Sequence, residues 1–218
     1  ETDGRRARVA FTDDWLADAA RRDFTMNALY ADADGTYYDP FDGMADLMAG
    51  RVRFVGDAET RIREDVLRIL RFFRFHAHFG RGAPEAEGFA ACRRLANLLP
   101  TLSGERVATE LLKLLKAPEP ASPVALMADA GILPAILPET GSPARLRALV
   151  TVEGITVGAD PIRRLATLVA GGASAAGAVA GRLRLSNAQR AHLARLVGPP
   201  VRPNPDWTAR TARGWLYR

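Results

Sequence analysis

Lysine is nearly missing from these 218 residues, occurring only at Lys113 and Lys116, so the positive charge is carried by arginine. The planar, always-charged arginine fork suits two-point contacts to phosphates and bases, although an arginine bias also fits a GC-rich genome. Cysteine occurs once, at Cys92 in an apolar, helical-looking segment. That excludes a disulfide framework or a cysteine metal site and fits a reducing cytoplasm. No run of about 18 apolar residues occurs and no charged-then-apolar leader opens the chain, so membrane-spanning and secretory readings find no support. The first residue is Glu1 rather than Met, and Arg218 follows Trp215-Leu216-Tyr217 without a polar tail, so both ends are expected to be cut. No repeat at a fixed spacing argues for a solenoid.

What is present describes a folded chain. Hydrophobic residues make up 48% and charged residues 25%, close to globular averages and far from disorder, and the length fits one large domain or adjoining parts of two. Lys plus Arg exceeds Asp plus Glu by 30 to 25, a net +5 that permits an anionic partner such as nucleic acid or nucleotide.

Short β-prone runs at 8–11, 28–31, 35–38 and 52–55 predict a small sheet, with Asp34-Gly35 as a hairpin turn. Thr12 or Asp13 is placed to cap a short helix through Asp14-Trp15-Leu16 toward Ala20. From residue 58 strand signals vanish, and the chain reads as helices broken near Pro84, Pro100, Pro118, Pro138 and Pro161. Ser103 should cap a helix reaching about Leu115, and 162–169 and 189–197 give further amphipathic segments. The Ala/Gly-rich stretch 171–181 fits either close helix packing or a loose connection. The fold class expected is α+β, mostly α.

Residues 58–79 contain no Pro or Gly and predict one long helix of about six turns. Its wheel places Ile62, Val66, Ile69, Leu70 and Phe73 on an apolar stripe. Arg61, Asp65, Arg68, Phe72 and Phe75 share another face, flanked by Glu64 and Arg71. Asp65 and Arg68, spaced i to i+3, can act together on one planar ligand. Cytosine and adenine each set an acceptor ring nitrogen beside an amine donor, so an acid beside an arginine selects them. Uracil and guanine would leave polar groups unpaired at about 1–3 kcal/mol apiece. The plain alternative is an intrahelical ion pair worth about 0.2–0.5 kcal/mol.

Three motifs occur in order: Arg21-Arg22-Asp23-Phe24-Thr25-Met26-Asn27-Ala28, Asp39-Pro40-Phe41-Asp42-Gly43-Met44-Ala45-Asp46-Leu47, and Glu64-Asp65-Val66-Leu67-Arg68-Ile69-Leu70-Arg71. This order resembles the bacterial class II CCA-adding enzymes and the related poly(A) polymerases, over residues 1 to about 140. Ser103-Gly104-Glu105-Arg106 with Glu110-Leu111-Leu112, and Ala130-Gly131-Ile132-Leu133-Pro134, look like the family's helical neck and body. The resemblance implies a nucleotidyltransferase head at 1–56, a helical neck and RNA-binding-like domain at 57–140, and a helical body or tail at 141–218. It implies Arg22 for the triphosphate, Asp23 for ribose hydroxyls, Asp65 and Arg68 for the base edge, and Arg71 and Arg74 in the same nucleotide site. Arg74, however, projects away from Asp65 on the wheel. Asn27 either supports that pocket or makes a local backbone bond. The 39–50 segment is implied to be a hinge, with Gly43 and Gly50 giving backbone freedom around Asp46. The alternative is a plain loop and short helix with Asp46 capping or solvated.

The implied activity is addition of C and A to the tRNA 3′ end from CTP and ATP. The alternatives are poly(A) addition and a non-catalytic RNA-binding helical protein. The family's Mg²⁺ ions need converging carboxylates, an Asp-x-Asp pair after a Gly-Gly segment, and these are expected upstream of residue 1. The 218 residues alone are therefore expected to bind nucleotide weakly and not to catalyse transfer. Asp32-Ala33-Asp34 is better explained by the turn that follows it. His76 and His78 point about 200° apart on a helix and read as packing or helix-end residues rather than a metal pair. His192 stands alone. Oligomeric state is not legible.

Overall fold

The computed structural model describes residues 14–155, 158–198 and 208, together with the backbone of 2–3 and 6–7. Two small antiparallel ladders precede a helical array. Strands β1 (Thr2–Asp3) and β2 (Arg6–Ala7) pair with each other, and β3 (Tyr30–Ala31) pairs with β4 (Tyr37–Tyr38) in the register Tyr30 to Tyr38. Asp34-Gly35 makes the expected turn: Gly35 sits at φ +89°, and the Asp34 carboxylate accepts the Thr36 N–H at 2.9 Å.

The broader sheet is not found among the described residues. The 52–55 run forms only an isolated bridge, Phe54 to Phe24, in which the Thr25 N–H donates to the Arg53 carbonyl at 3.0 Å and the Val55 N–H to the Asp23 carbonyl at 3.1 Å. The run at 8–11 and the caps proposed at Thr12 and Asp13 lie outside the described residues. The N-cap of helix α1 (Trp15–Ala20) is Asp14, whose carboxylate accepts the Ala17 N–H at 3.0 Å.

Helix α2 (Gly43–Ala49) follows. The single helix expected over 58–79 is in fact two, α3 (Ala58–Glu64) and α4 (Arg68–Phe79), interrupted at 65–67. Asp65 is the cause. Its backbone is extended (φ −150°, ψ 105°), and its side chain accepts the Leu67 N–H at 3.1 Å, a local bond that competes with helix continuation. Helix α4 is enclosed around most of its circumference. Phe72 and Phe75, assigned from the wheel to the charged face, are buried against Phe24 and Phe54, with the Phe54 and Phe72 rings stacked 5.6 Å apart. Removing a buried aromatic of this kind costs about 3–5 kcal/mol.

The remaining helices are α5 (Ala86–Arg94), α6 (Gly104–Leu115), α7 (Ala121–Asp129), α8 (Ile132–Ile136), α9 (Ala144–Ile155), α10 (Pro161–Leu168), α11 (Gly172–Arg182) and α12 (Asn187–Val197). Ser103 caps α6 as expected, accepting the Arg106 N–H, and α6 packs along α4. The Ala/Gly-rich stretch resolves as α11, which buries Ala176, Val179 and Ala180 and packs on α12, so small residues serve close packing. One apolar core runs from Phe24 and Phe54 through α4, α6 and α7 to Leu193 of α12.

Candidate functional site

A cleft of about 510 Å³ opens where the end of α1, the 65–67 break, the start of α4 and the first turn of α6 converge. Arg21, Arg22, Asp23, Asn27, Asp65, Leu67, Arg68, Arg71 and Arg106 line it. Arg22, Asp23, Asn27, Asp65, Arg68 and Arg71 thus come together, although 43 residues separate Arg22 from Asp65 in the chain (65 minus 22). A slightly larger cleft of about 560 Å³ between α3 and α5 gathers none of the residues singled out from sequence. Its polar groups are mostly occupied: Arg94 pairs with Glu59 at 2.5 Å, and Glu85 caps α5. The smaller cleft is the chemically informative one.

Asp23 sits at the floor, 7% exposed. The bridge beside Phe54 holds its backbone, with Val55 N–H donating to the Asp23 carbonyl at 3.1 Å. Its Oδ1 accepts the Phe24 N–H at 3.0 Å and the Asn27 amide at 2.9 Å, while Oδ2 accepts Arg71 Nε at 2.6 Å and faces Arg71 Nη2 at 2.5 Å. The Asn27 side-chain amide thus bonds the Asp23 carboxylate, while its backbone N–H donates to the Phe24 carbonyl at 2.9 Å. With about four acceptor directions on a carboxylate, Asp23 has none to spare, so a sugar hydroxyl is accepted only if Arg71 or Asn27 yields.

Arg22 donates to Asp18 Oδ2 from Nε at 3.1 Å and Nη2 at 2.7 Å, and Arg21 donates to Asp18 Oδ1 at 2.6 Å. Tyr30 O–H donates to the same Oδ2 at 2.7 Å. That hydroxyl, then Arg22 and Arg21, outweigh the effect of burial and hold the Asp18 carboxyl down at about 2.

Arg68 reaches three acceptors: Glu64 at 2.6 Å, the Arg61 carbonyl at 2.8 Å and the Arg21 carbonyl at 3.3 Å. Arg61 in turn donates to the Ala20 carbonyl at 3.0 Å. The two arginines satisfy carbonyls at the end of α1 that have no helical partner, fixing α1 against α3 and α4. Asp65 turns to α6, where Arg106 Nη2 lies 2.9 and 2.8 Å from its two oxygens. Asp65 and Arg68 share the cleft wall without bonding each other, so the plain intrahelical pair is not formed. Five guanidinium groups and two carboxylates around one open cleft suit a ligand with an anionic end and a planar polar edge.

Residues 1–53 match the family described as "Poly A polymerase head domain", and residues 83–142 match "Probable RNA and SrmB- binding site of polymerase A". The chain is 50% identical over 117 residues to the Danio rerio "CCA tRNA nucleotidyltransferase 1, mitochondrial", covering 53% of this chain and 27% of that protein. It is 46% identical over 114 residues to a Streptococcus pyogenes "CCA-adding enzyme", covering 52% and 28%. The Bacillus stearothermophilus CCA-adding enzyme, solved in complex with CTP, superposes with a TM-score of 0.69 at 30% identity over 86% of this chain and 47% of that one. The chain is similar to the CCA-adding enzyme and poly(A) polymerase family. It spans about a quarter of the length of the curated relatives it matches.

Arg74 does not line the cleft. It points from α4 to α6, with Nε 2.6 Å from Glu110 and its guanidinium 4.4 Å over the Phe75 ring, as the wheel direction indicates. Asp46 is fully buried, neither capping nor solvated: it accepts Thr25 Oγ1 at 2.7 Å, Arg51 Nε at 2.5 Å and Arg53 Nε at 2.7 Å. Gly43 does not hold a left-handed backbone. It is required because a Cβ there would stand 2.1 Å from the Thr25 carbonyl oxygen, whereas Gly50 does take φ +66°.

Among the described residues, no three His, Cys, Asp or Glu side chains converge as a metal site. His76 is buried, and burial lowers its pKa; His78 Nε2 donates to the Lys113 carbonyl at 3.1 Å. His192, expected to be alone, lies 2.9 Å from Asp160, the cap of α10, because α10 and α12 pack together. No helix among the described residues is long and apolar enough to cross a membrane.

Sequence reasoning missed Asp18 and Arg106 as cleft-organising residues. Asp18 carried a signal, standing three and four residues before Arg21 and Arg22. Arg106 lay in the Ser-Gly-Glu-Arg motif but could not be tied to Asp65 without the packing of α6.

Proposed function

We propose that this chain forms the nucleotide-selecting part of an enzyme that adds C and A to the tRNA 3′ end, using CTP and ATP and releasing pyrophosphate. The observation that carries this reading is the meeting of Arg22 and Asp23 with Asp65 and Arg68 in one cleft. Relatives named for CCA addition, and one solved with CTP, support it.

The triphosphate lies toward Arg21 and Arg22, whose guanidinium groups offer paired N–H donors. The base edge meets Asp65 as acceptor and Arg68 as donor, the arrangement complementary to cytosine and adenine. Asp23, aligned by Asn27 and Arg71, borders the sugar between them. Arg74 acts at a distance by fixing α4 to α6. The segment around Gly43 and Asp46 serves as the joint between a head part at 1–56 and the helical parts at 57–140 and 141–218. The tRNA end is the second substrate, and the single buried Cys92 suits a reducing cytoplasm.

Two Mg²⁺ ions would supply activation of the 3′ hydroxyl and charge stabilisation of the leaving pyrophosphate. The described residues do not fit them, since Asp23 and Asp65 are each held by an arginine and no third ligand converges.

Incubating the gene product that carries these residues with tRNA lacking its 3′ CCA, CTP, ATP and Mg²⁺ tests the reading. Addition of two C and one A supports it. Repeated A addition without use of CTP would instead favour poly(A) synthesis. RNA binding with no nucleotide binding would favour a non-catalytic RNA-binding protein.

A further inference from the structure

We infer that Asp18 is a positioning residue that presets Arg21 and Arg22 for the phosphate end of the cleft. This rests on the nucleotide-site reading above and extends it to a residue outside the cleft lining.

One carboxylate gathers three donors from two elements. Arg21 and Arg22 lie one helical turn beyond Asp18 at the end of α1, and Tyr30 comes from β3. The Tyr30 ring is itself fixed, with Trp15 edge-on at 4.9 Å and the Arg22 guanidinium over it at 5.8 Å. The relay therefore runs from the β3 hairpin through the Tyr30 hydroxyl to Asp18 and on to the guanidinium groups.

The edge that Asp18 uses matters. It takes Nε and Nη2 of Arg22, so the Nη1 side of the fork carries no bond to it and is the side left for a phosphate. With Asp18 on the Nε and Nη2 edge, the second Nη2 hydrogen and both Nη1 hydrogens remain to meet a phosphate. Arg22 and Arg21 are otherwise half to two-thirds exposed, with side-chain exposures of 49% and 63%, and such long side chains are costly to order on binding. Ordering each rotamer-rich side chain in advance is worth a few-fold in affinity, so the two together are worth about tenfold.

The test compares CTP with CMP, which share base and sugar and differ in the groups that reach Arg21 and Arg22. Equilibrium titrations are run on the wild-type chain and on Asp18→Asn, Asp18→Glu and Tyr30→Phe, with circular dichroism confirming each fold. We expect Asp18→Asn to weaken CTP about tenfold and CMP less than about twofold. Asp18→Glu should restore most of the loss, and Tyr30→Phe should show a smaller loss in the same direction. Equal weakening of CTP and CMP would make Asp18 merely structural. Unchanged affinities, or tighter CTP binding in Asp18→Asn, would likewise overturn the proposal. A wild-type chain that does not prefer CTP to CMP would instead count against the nucleotide-site reading itself.

Discussion

Arg106, in the first turn of α6, holds both carboxylate oxygens of Asp65, 41 residues earlier, from a single nitrogen at 2.9 and 2.8 Å. Asp65 separates α3 from α4, and Arg106 fixes the direction in which the interrupted turn presents its acid. The side chains are 48% and 35% exposed, which limits what the pair contributes to folding. Arg106→Ala should therefore cost no more than about 1 kcal/mol in urea denaturation. A loss of several kcal/mol would mean that the contact is part of the core.

Asp46 behaves differently because it is fully buried. Burial alone would raise its pKa, but hydrogen bonds from Thr25, Arg51 and Arg53 outweigh this and hold it below the ordinary 3.8. A carboxyl depressed in the folded state stabilises the fold when ionised. Its contribution is complete above the unfolded value and is lost as pH falls through the lower folded one. Asp46→Asn should cost about 2 kcal/mol at neutral pH, less than a fully enclosed pair because Arg51 and Arg53 are half exposed. The variant should also lose less stability than the wild type as pH falls through and below the ordinary 3.8. Parallel stability curves for the two proteins over that range would refute the assignment.

Arg164 joins three helices. Its Nε lies 2.6 Å from Glu153 of α9, and its Nη1 donates to the Leu115 and Ala117 carbonyls at 2.6 Å, closing the end of α6. Arg164 and Glu153 are 3% and 2% exposed. Arg164→Ala leaves Glu153 with Arg163 alone, whose Nε lies 2.6 Å from Oε1, and frees the Leu115 and Ala117 carbonyls, so it should cost about 2–4 kcal/mol, read as a lower denaturation midpoint. A loss below 1 kcal/mol would show that water reaches the pair.

Cys92 is enclosed, and its thiol is pushed well above the ordinary value by burial. It should remain protonated and resist thiol-reactive reagents at neutral pH, reacting fully once denaturant unfolds the chain. Rapid labelling of the native protein would contradict the packing of α5.

The features legible in sequence were those set by local chemistry. Ser103 capping α6, Asp34-Gly35 closing the hairpin and the side-by-side reading of Arg22, Asp23, Asp65 and Arg68 depend on short spacings or on a motif order. The Asp65 break was not legible from the absence of Pro and Gly, because an Asx side-chain bond can end a helix without either. Phe72 and Phe75 were misplaced for another reason: α4 is enclosed on both the face with Ile69, Leu70 and Phe73 and the face with Phe72 and Phe75, and periodicity alone does not show that a second face is covered. The buried set of Thr25, Asp46, Arg51 and Arg53, and the partners of Arg74, Arg106 and His192, are tertiary contacts that no periodicity encodes.

Under the proposed function Asp65 and Arg68 choose the base from one cleft wall, and nucleotide selectivity tests this most directly. Titration with CTP, ATP, UTP and GTP should show the first two binding tighter in the wild-type chain. Asp65→Ala and Arg68→Ala should each reduce that preference by about tenfold or more, consistent with one lost polar pairing. Variants that remain folded and keep the full preference for CTP and ATP would contradict it.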